Sequence, residues 1–525
     1  MWPIIIRGGS WPPSSVDVGS VTAALLLAAA VIFIPRVWSS SRTRRPQVPA
    51  SGGSTAGGAR LPAGSLGWPL LGETLAFIRA AYSPRPESFV EKRRLWYGKV
   101  FKSHLWGSPA VVSSDPEVSR AVLQADASAF VPWYPRSLME LMGQSSILVL
   151  GGGLQRRVHG LAGAFFKSPQ LKAQVTADMQ RRVGRAMDVW SRRHHRSMSS
   201  NGCGGAPPVR VQDEAKSIVF EILVRALIGI EEGDEMQYLR QQFQEFIAGL
   251  ISLPVKLPGC QLYRSLRAKK RMTKLIKMII QEKRKKMIAE GEDLRGTHPR
   301  DMIDVLLGNG NDELTDELIS DNMIDFMIPA EDSVPVLITL AVKYLSECPL
   351  ALQQLEEENM ELKSQKSDTG ETLEWTDYMS LTFTQHVITE TLRMGNIING
   401  IMRKAVRDVE VRGHLIPKGW RVLVYFRAVH LDAAVHDDPH AFNPWRWKER
   451  ADVVPVMSSG GGGGFTPFGG GQRLCPGLDL ARLEASIFLH HLVTSFRWVA
   501  EEDTVVNFPT VRLKRGMPIT VTPRT

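Results

Sequence analysis

A chain of 525 residues with 43% apolar and 22% charged residues has the composition of a globular protein and excludes a disordered or low-complexity one. Its four cysteines, Cys203, Cys260, Cys348 and Cys475, lack paired spacing, so neither a disulfide framework nor a zinc site is indicated. The formal net charge of +10 arises largely from local basic runs without the basic-aromatic pattern of a nucleic-acid module, so nucleic acid is excluded as a partner. The charge is read as attraction to a membrane surface or an acidic protein.

Taken in sequence order, Val18 to Pro35 is an uncharged apolar run. As a helix it reaches roughly 27 Å, enough to cross a bilayer core. Arg36, Arg42, Arg44 and Arg45 follow it, whereas Arg7 and Asp17 roughly cancel before it. The positive-inside rule then predicts a single-pass anchor over residues 18–35, a lumenal segment over 1–17 and a cytosolic bulk. A cleaved signal peptide would carry its positive charge ahead of the apolar run, not behind it. Residues 36–60 form a basic, Pro/Gly/Ser-rich linker with too little apolar content to pack. The prolines and glycines of Leu61 to Gly72 stiffen the exit from it, and a folded unit is expected over 61–525.

Val100 to Leu105 and Ala110 to Ser113 read as two strands of a hairpin, and Asp115-Pro116-Glu117 as the start of a helix with proline at its first position. Phe130 to Leu150 is loop-like, and a helix follows through Leu154 to His159. Helices are predicted over Asp213–Ile230, Asp234–Leu253 and the basic amphipathic stretch Arg264–Glu290, whose cations are read chiefly as a solvated face. Leu314 to Glu347 reads as one long helix interrupted by Pro329 and Pro335, which should break its hydrogen-bond ladder and free carbonyls near Asp325 and Glu331, with Asp332 and Ser333 lying between the two prolines. Glu390 and Arg393 share a helix face, and Arg446 sits in an aromatic, proline-containing loop. Glu410–Leu415 and Arg421–Phe426 alternate as strands, and the tail from Phe508 to Val521 reads as a last hairpin. His490 and His491 read as packing or surface residues rather than ligands.

The stretch from Phe465 to Leu480 carries one cysteine, Cys475, in a glycine-dense turn just ahead of a helix marked by Leu480, Leu483 and Ile487. A helix N-terminus favours thiolate over thiol, and one thiolate suits iron with an open coordination position. The five glycines Gly460 to Gly464 could suggest a phosphate loop, but no Lys-Ser or Lys-Thr follows them.

The order Phe468-x-x-Gly471-x-Arg473-x-Cys475-x-Gly477 resembles the haem-binding loop of the cytochrome P450 family of haem-thiolate monooxygenases. The resemblance implies a mainly helical fold with a small β lobe, enclosing haem b. It makes Cys475 the axial iron ligand, places Phe468 against the sulfur and pairs Arg473 with a haem propionate. Asp332 and Ser333 match the family's acid and alcohol, which relay protons to dioxygen; Ala330 and Pro329 depart from its small-residue pair. Glu390, Arg393 and Arg446 match its buried ion cluster. Where the family has Trp and Arg four apart facing the propionates, this protein has Gln155 and His159, with Arg156 or Arg157 as substitute cations. The turn from Met394 to Met402 and the tip of the tail are expected to reach the substrate cavity.

The segment Leu61 to Leu71, the variant Pro329 to Pro335 and the Cys475 loop look like the plant group that oxidises brassinosteroid precursors. Within that group they look most like the hydroxylases acting at C-23 of the steroid tail. Implied are a 22-hydroxylated sterol substrate, O2, electrons from NADPH–cytochrome P450 reductase and an endoplasmic-reticulum membrane location. Oxidation at C-22, C-3 or C-26 stays open at this point. So do a reductase-independent haem-thiolate isomerase, against which Asp332-Ser333 argues, and a non-catalytic haem or sterol-binding protein.

Overall fold

The computed structural model describes residues 58–524 apart from short stretches at 69–70, 200–206, 251, 253, 290–298, 309–313, 451–464 and 509. The expected anchor over 18–35, the segment before it, nearly all of the linker and the glycine run 460–464 lie outside the described residues. Among the described residues no single helix is long and apolar enough to cross a membrane.

Five strands form the principal sheet: β1 (Val100–Leu105), β2 (Ser108–Ser113), β3 (Phe130–Pro132), β4 (Ile401–Ala405) and β5 (Arg421–Val424), in the order β1-β2-β5-β4-β3. The hairpin β1–β2 turns on Trp106 and Gly107, both at positive φ, so β2 begins two residues earlier than the sequence suggests. β2 and β5 run parallel, with Val112 opposite Leu423, and the remaining pairs are antiparallel. The predicted strand Glu410–Leu415 is instead a tight hairpin, Val409–Val411 against His414–Ile416. Arg412 and Gly413 make its turn, again with two positive φ values, a geometry that alternation alone does not reveal. Arg421–Phe426 stops as a strand at Val424, and Phe426 opens a helix.

Helices build the larger part. Those that position the site are α1 (Gly152–Lys167), α2 (Val211–Ile228), α3 (Asp316–Met327), α4 (Pro329–Asp332), α5 (Val334–Glu347), α6 (Thr382–Gly395), α7 (Phe426–His430) and α8 (Leu478–Ser495). α8 is buried on nearly every face, and its Leu480, Leu483 and Ile487 join one large apolar core with α2, α3 and α5. Phe130–Leu150 also holds the short helix Arg136–Met142 beside β3, where the sequence suggests only loop. The expected terminal hairpin is divided. Val505–Val506 pairs with Arg512–Leu513, whereas Pro518–Pro523 runs between Val209–Arg210 and Phe496–Ala500 in a second sheet.

α3, α4 and α5 replace the single helix expected over 314–347. Thr315 caps the start, accepting from the Leu318 amide at 3.2 Å. Pro329 and Pro335 each lack an N–H, and Ser333 takes φ −125° and ψ −68°, off the helical well. The break therefore falls on the acid–alcohol pair itself.

Candidate active site

The Cys475 loop enters the core just ahead of α8 and is braced by its own backbone. The Cys475 amide donates to the Phe468 carbonyl at 3.0 Å, and the Gly469 amide to the Thr466 carbonyl at 3.1 Å. Gly471 sits at φ +65°, and a Cβ there would lie 2.2 Å from the Leu123 carbonyl oxygen, so only glycine fits. Gly477 is different: a Cβ on it would meet no protein atom within 4 Å. Phe468 packs against the main core from the partly buried rim.

Cys475 lies deep in the molecule, yet its surface is only partly covered. Burial pushes the thiol up from its ordinary value, and the Gly477 amide offsets this only in part. The dipole argument from sequence is thus outweighed, because α8 begins three residues beyond the sulfur. A thiol so placed ionises only against a strong positive partner such as iron, to which a thiolate binds outright.

Two cations near the loop lie close enough to repel one another. Arg473 donates to the Ile147 carbonyl at 3.0 Å and to that of Leu150, and burial pushes it down to about 10 with repulsion from Arg403 adding to the effect. Arg403, inward on β4, is likewise held below its ordinary value by burial. Neither guanidinium forms an ion pair with a carboxylate among the described residues. Removing a cation from water without a counter-charge is costly, so the buried Arg403 beside the partly buried Arg473 calls for an anionic ligand. The donor set of one deep-lying sulfur, the buried Arg403 and the partly buried Arg473 fits haem with its propionates. Sequence reading misses Arg403, although its same-face neighbours on the strand, Ile401 and Ala405, are apolar and are a signal for it.

Arg156 requires a correction. It and Arg157 lie on the exposed side of α1, whereas Gln155 and His159 face the Cys475 loop. Gln155 Nε2 donates to the Gln472 carbonyl at 3.3 Å, and His159 Nε2 lies 2.7 Å from the Leu474 carbonyl. Residues four apart share a helix face, and the next residue along points about 100° away. The cation expected at 156 therefore turns from the loop, and Arg403 supplies the second buried charge instead.

The acid–alcohol pair sits at the break between α4 and α5. Burial raises the Asp332 carboxyl above the usual range, countered by Lys216 and reinforced by Glu331. Glu331, not Asp332, takes Lys216 of α2 as its partner. Asp332 and Ser333 are partly exposed, and their side chains hydrogen-bond to no protein group among the described residues, which leaves both available for exchange of a proton with water.

Glu390 is fully buried on α6 and gathers five donors. Arg393 approaches it at 2.8 and 2.9 Å, Arg446 at 3.0 Å, the Asn443 amide at 3.0 Å and Trp447 Nε1 at 2.9 Å. Arg393 spends its other donors on the carbonyls of His430, Pro439 and Ala441. Trp447 is a member the sequence does not identify, since an indole in an aromatic loop reads as packing.

Fold, thiolate loop and paired interior cations together define a haem-thiolate protein. The cytochrome P450 family model matches residues 62–519, and the chain belongs to that family of monooxygenases. It is 72% identical over 98% of its length to "Cytochrome P450 90D2" of Brachypodium distachyon, covering 94% of that relative. It is 56% identical over 88% of its length to the 3-epi-6-deoxocathasterone 23-monooxygenase CYP90D1 of Arabidopsis thaliana, covering 89% of it. Among solved structures, retinoic acid-bound cyanobacterial CYP120A1 superposes with a TM-score of 0.72 at 22% identity, covering 89% of this chain and 100% of that one; the likeness is one of fold.

Proposed function

We propose that this enzyme hydroxylates a 22-hydroxylated brassinosteroid precursor at C-23 of its tail. The observation that carries the reading is the 56% identity, over 88% of the chain, to a relative named for 23-monooxygenation of 3-epi-6-deoxocathasterone. Haem, were it held through the Cys475 sulfur, would supply the reductive activation of dioxygen that hydroxylation needs. Arg473 and Arg403 would hold its carboxylates, and Asp332 with Ser333 would hand on protons taken from solvent. The Glu390–Arg393–Arg446 cluster fixes the wall behind the loop.

Electrons come from NADPH through a flavoprotein reductase, and the protein sits on the cytosolic face of the endoplasmic reticulum by the anchor over 18–35. A surface cavity of about 770 Å³, lined by Trp68, Leu71 and Leu75 among others, supports a membrane-facing N-terminal flank, as does the 79% exposure of Trp68.

The test is reconstitution of the full-length holoenzyme with NADPH–cytochrome P450 reductase in phospholipid vesicles and a panel of 22-hydroxylated and 22-deoxy steroids. One added oxygen at C-23, only from 22-hydroxylated members and matched to NADPH use, is expected. Oxygen at C-22 or C-26, oxidation at C-3, or conversion independent of NADPH would contradict the reading.

A further inference from the structure

His430 closes α7 and is 1% exposed, outside any role given to it above. The Thr466 amide donates to its Nε2 at 3.0 Å, so that nitrogen carries no proton. The proton is on Nδ1, which lies 2.7 Å from Asn396 Oδ1. Asn396 turns its amide nitrogen to the Arg393 carbonyl at 2.7 Å, which leaves its oxygen to accept. Every donor in this series of contacts has one direction only.

The ring is held on both sides. Phe426 lies parallel to it, 9° apart at 6.1 Å between centroids, and Phe465 meets it at a 61° angle at 5.0 Å. The His430 carbonyl also accepts from Arg393 at 3.1 Å. On the far side, Thr466 and Phe468 give their carbonyls to Gly469 and Cys475. A continuous path of hydrogen bonds thus runs from the Glu390–Arg393 cluster through Asn396, His430 and Thr466 into the loop that carries the sulfur.

We infer that His430 is a positioning residue for Cys475, setting the register of the thiolate loop against the buried ion cluster. Burial holds the imidazole neutral, pushed down to about 3, so the strut keeps one tautomer at physiological pH. The inference rests on Cys475 being the iron ligand. A residue serving only as core filling would lower heat stability when replaced but leave the iron–sulfur bond of the remaining folded protein intact.

The experiment uses the full-length holoenzyme with His430→Leu, which removes both hydrogen bonds, and His430→Gln, which keeps one donor and one acceptor. Amide hydrogen exchange at Thr466 and the ferrous–carbon monoxide spectrum are read together. His430→Leu is expected to speed Thr466 exchange about ten-fold, equivalent to about 1.4 kcal/mol. It is also expected to move part of the red-shifted band to the blue-shifted position of a complex without thiolate, and His430→Gln to restore both readouts. Should His430→Leu not fold, Asn396→Gly carries the test, since it keeps the left-handed backbone at φ 44° while removing the acceptor for Nδ1–H. Wild-type Thr466 protection and an unshifted band in the folded variant would overturn the inference, whatever its heat stability. A wild-type enzyme with no red-shifted band would instead sink the thiolate assignment beneath it.

Discussion

At the scale of single residues, the site is set by charges that the protein alone does not neutralise. The buried Arg403 and the partly buried Arg473 lie near one another, and the pull of burial on both guanidiniums is downward. Arg403→Leu should therefore leave the haem-free protein as stable as wild type or more so, while haem loss to apomyoglobin quickens by about ten-fold, the worth of a charge-assisted contact. Equal haem retention would show that Arg403 does not meet the cofactor. The residues legible in the sequence are those fixed by short spacing: Cys475 with its glycines, and Glu390 with Arg393 three residues on. Arg156 is misplaced by sequence reading because helix phase, not proximity along the sequence, decides which residue turns inward. Trp447 and His430 are not legible because their partners, Glu390 and Thr466, lie 57 and 36 residues away.

At the scale of elements, the break between α4 and α5 and the clasp around α6 do different work. The two prolines announce the break, and the structure puts it on Ser333. Ser333→Ala and Asp332→Asn should keep haem and fold but lower product formed per NADPH consumed several-fold, with peroxide making up the difference. Unchanged coupling in both would remove the proton-relay role. The clasp is structural. Removing Arg393, 0% exposed, leaves the Glu390 charge without its bidentate partner in the core. Arg393→Ala should cost about 3–5 kcal/mol and yield protein that fails to retain haem. Full haem occupancy in soluble Arg393→Ala would contradict that role. What sequence does not supply is the turn chemistry, since Trp106 and Arg412 take positive φ against their ordinary preference.

At the scale of the whole molecule, buried titratable groups bound the pH range of stability. Burial raises Glu484 on α8 from 4.5 to about 8, so the folded state holds a proton that the unfolded state releases. Its contribution is present below about 4.5 and is lost as pH rises through about 8. His430 and His490 run the other way. Burial lowers both from 6.5 to about 3, so stability falls as pH drops below 6.5 toward 3. Glu484→Gln should flatten the alkaline decline of the melting temperature between about pH 5 and 8, leaving the acid limb as it is; an unchanged alkaline slope would assign that decline elsewhere.

All of these elements converge on one sulfur, and replacing it tests the account most directly. Cys475→Ser, loaded with haem, reduced and exposed to carbon monoxide, is predicted to lose the red-shifted absorption band entirely while wild type shows it. Persistence of that band in the serine variant would mean that the iron is held by another ligand and that the site has been assigned to the wrong residue.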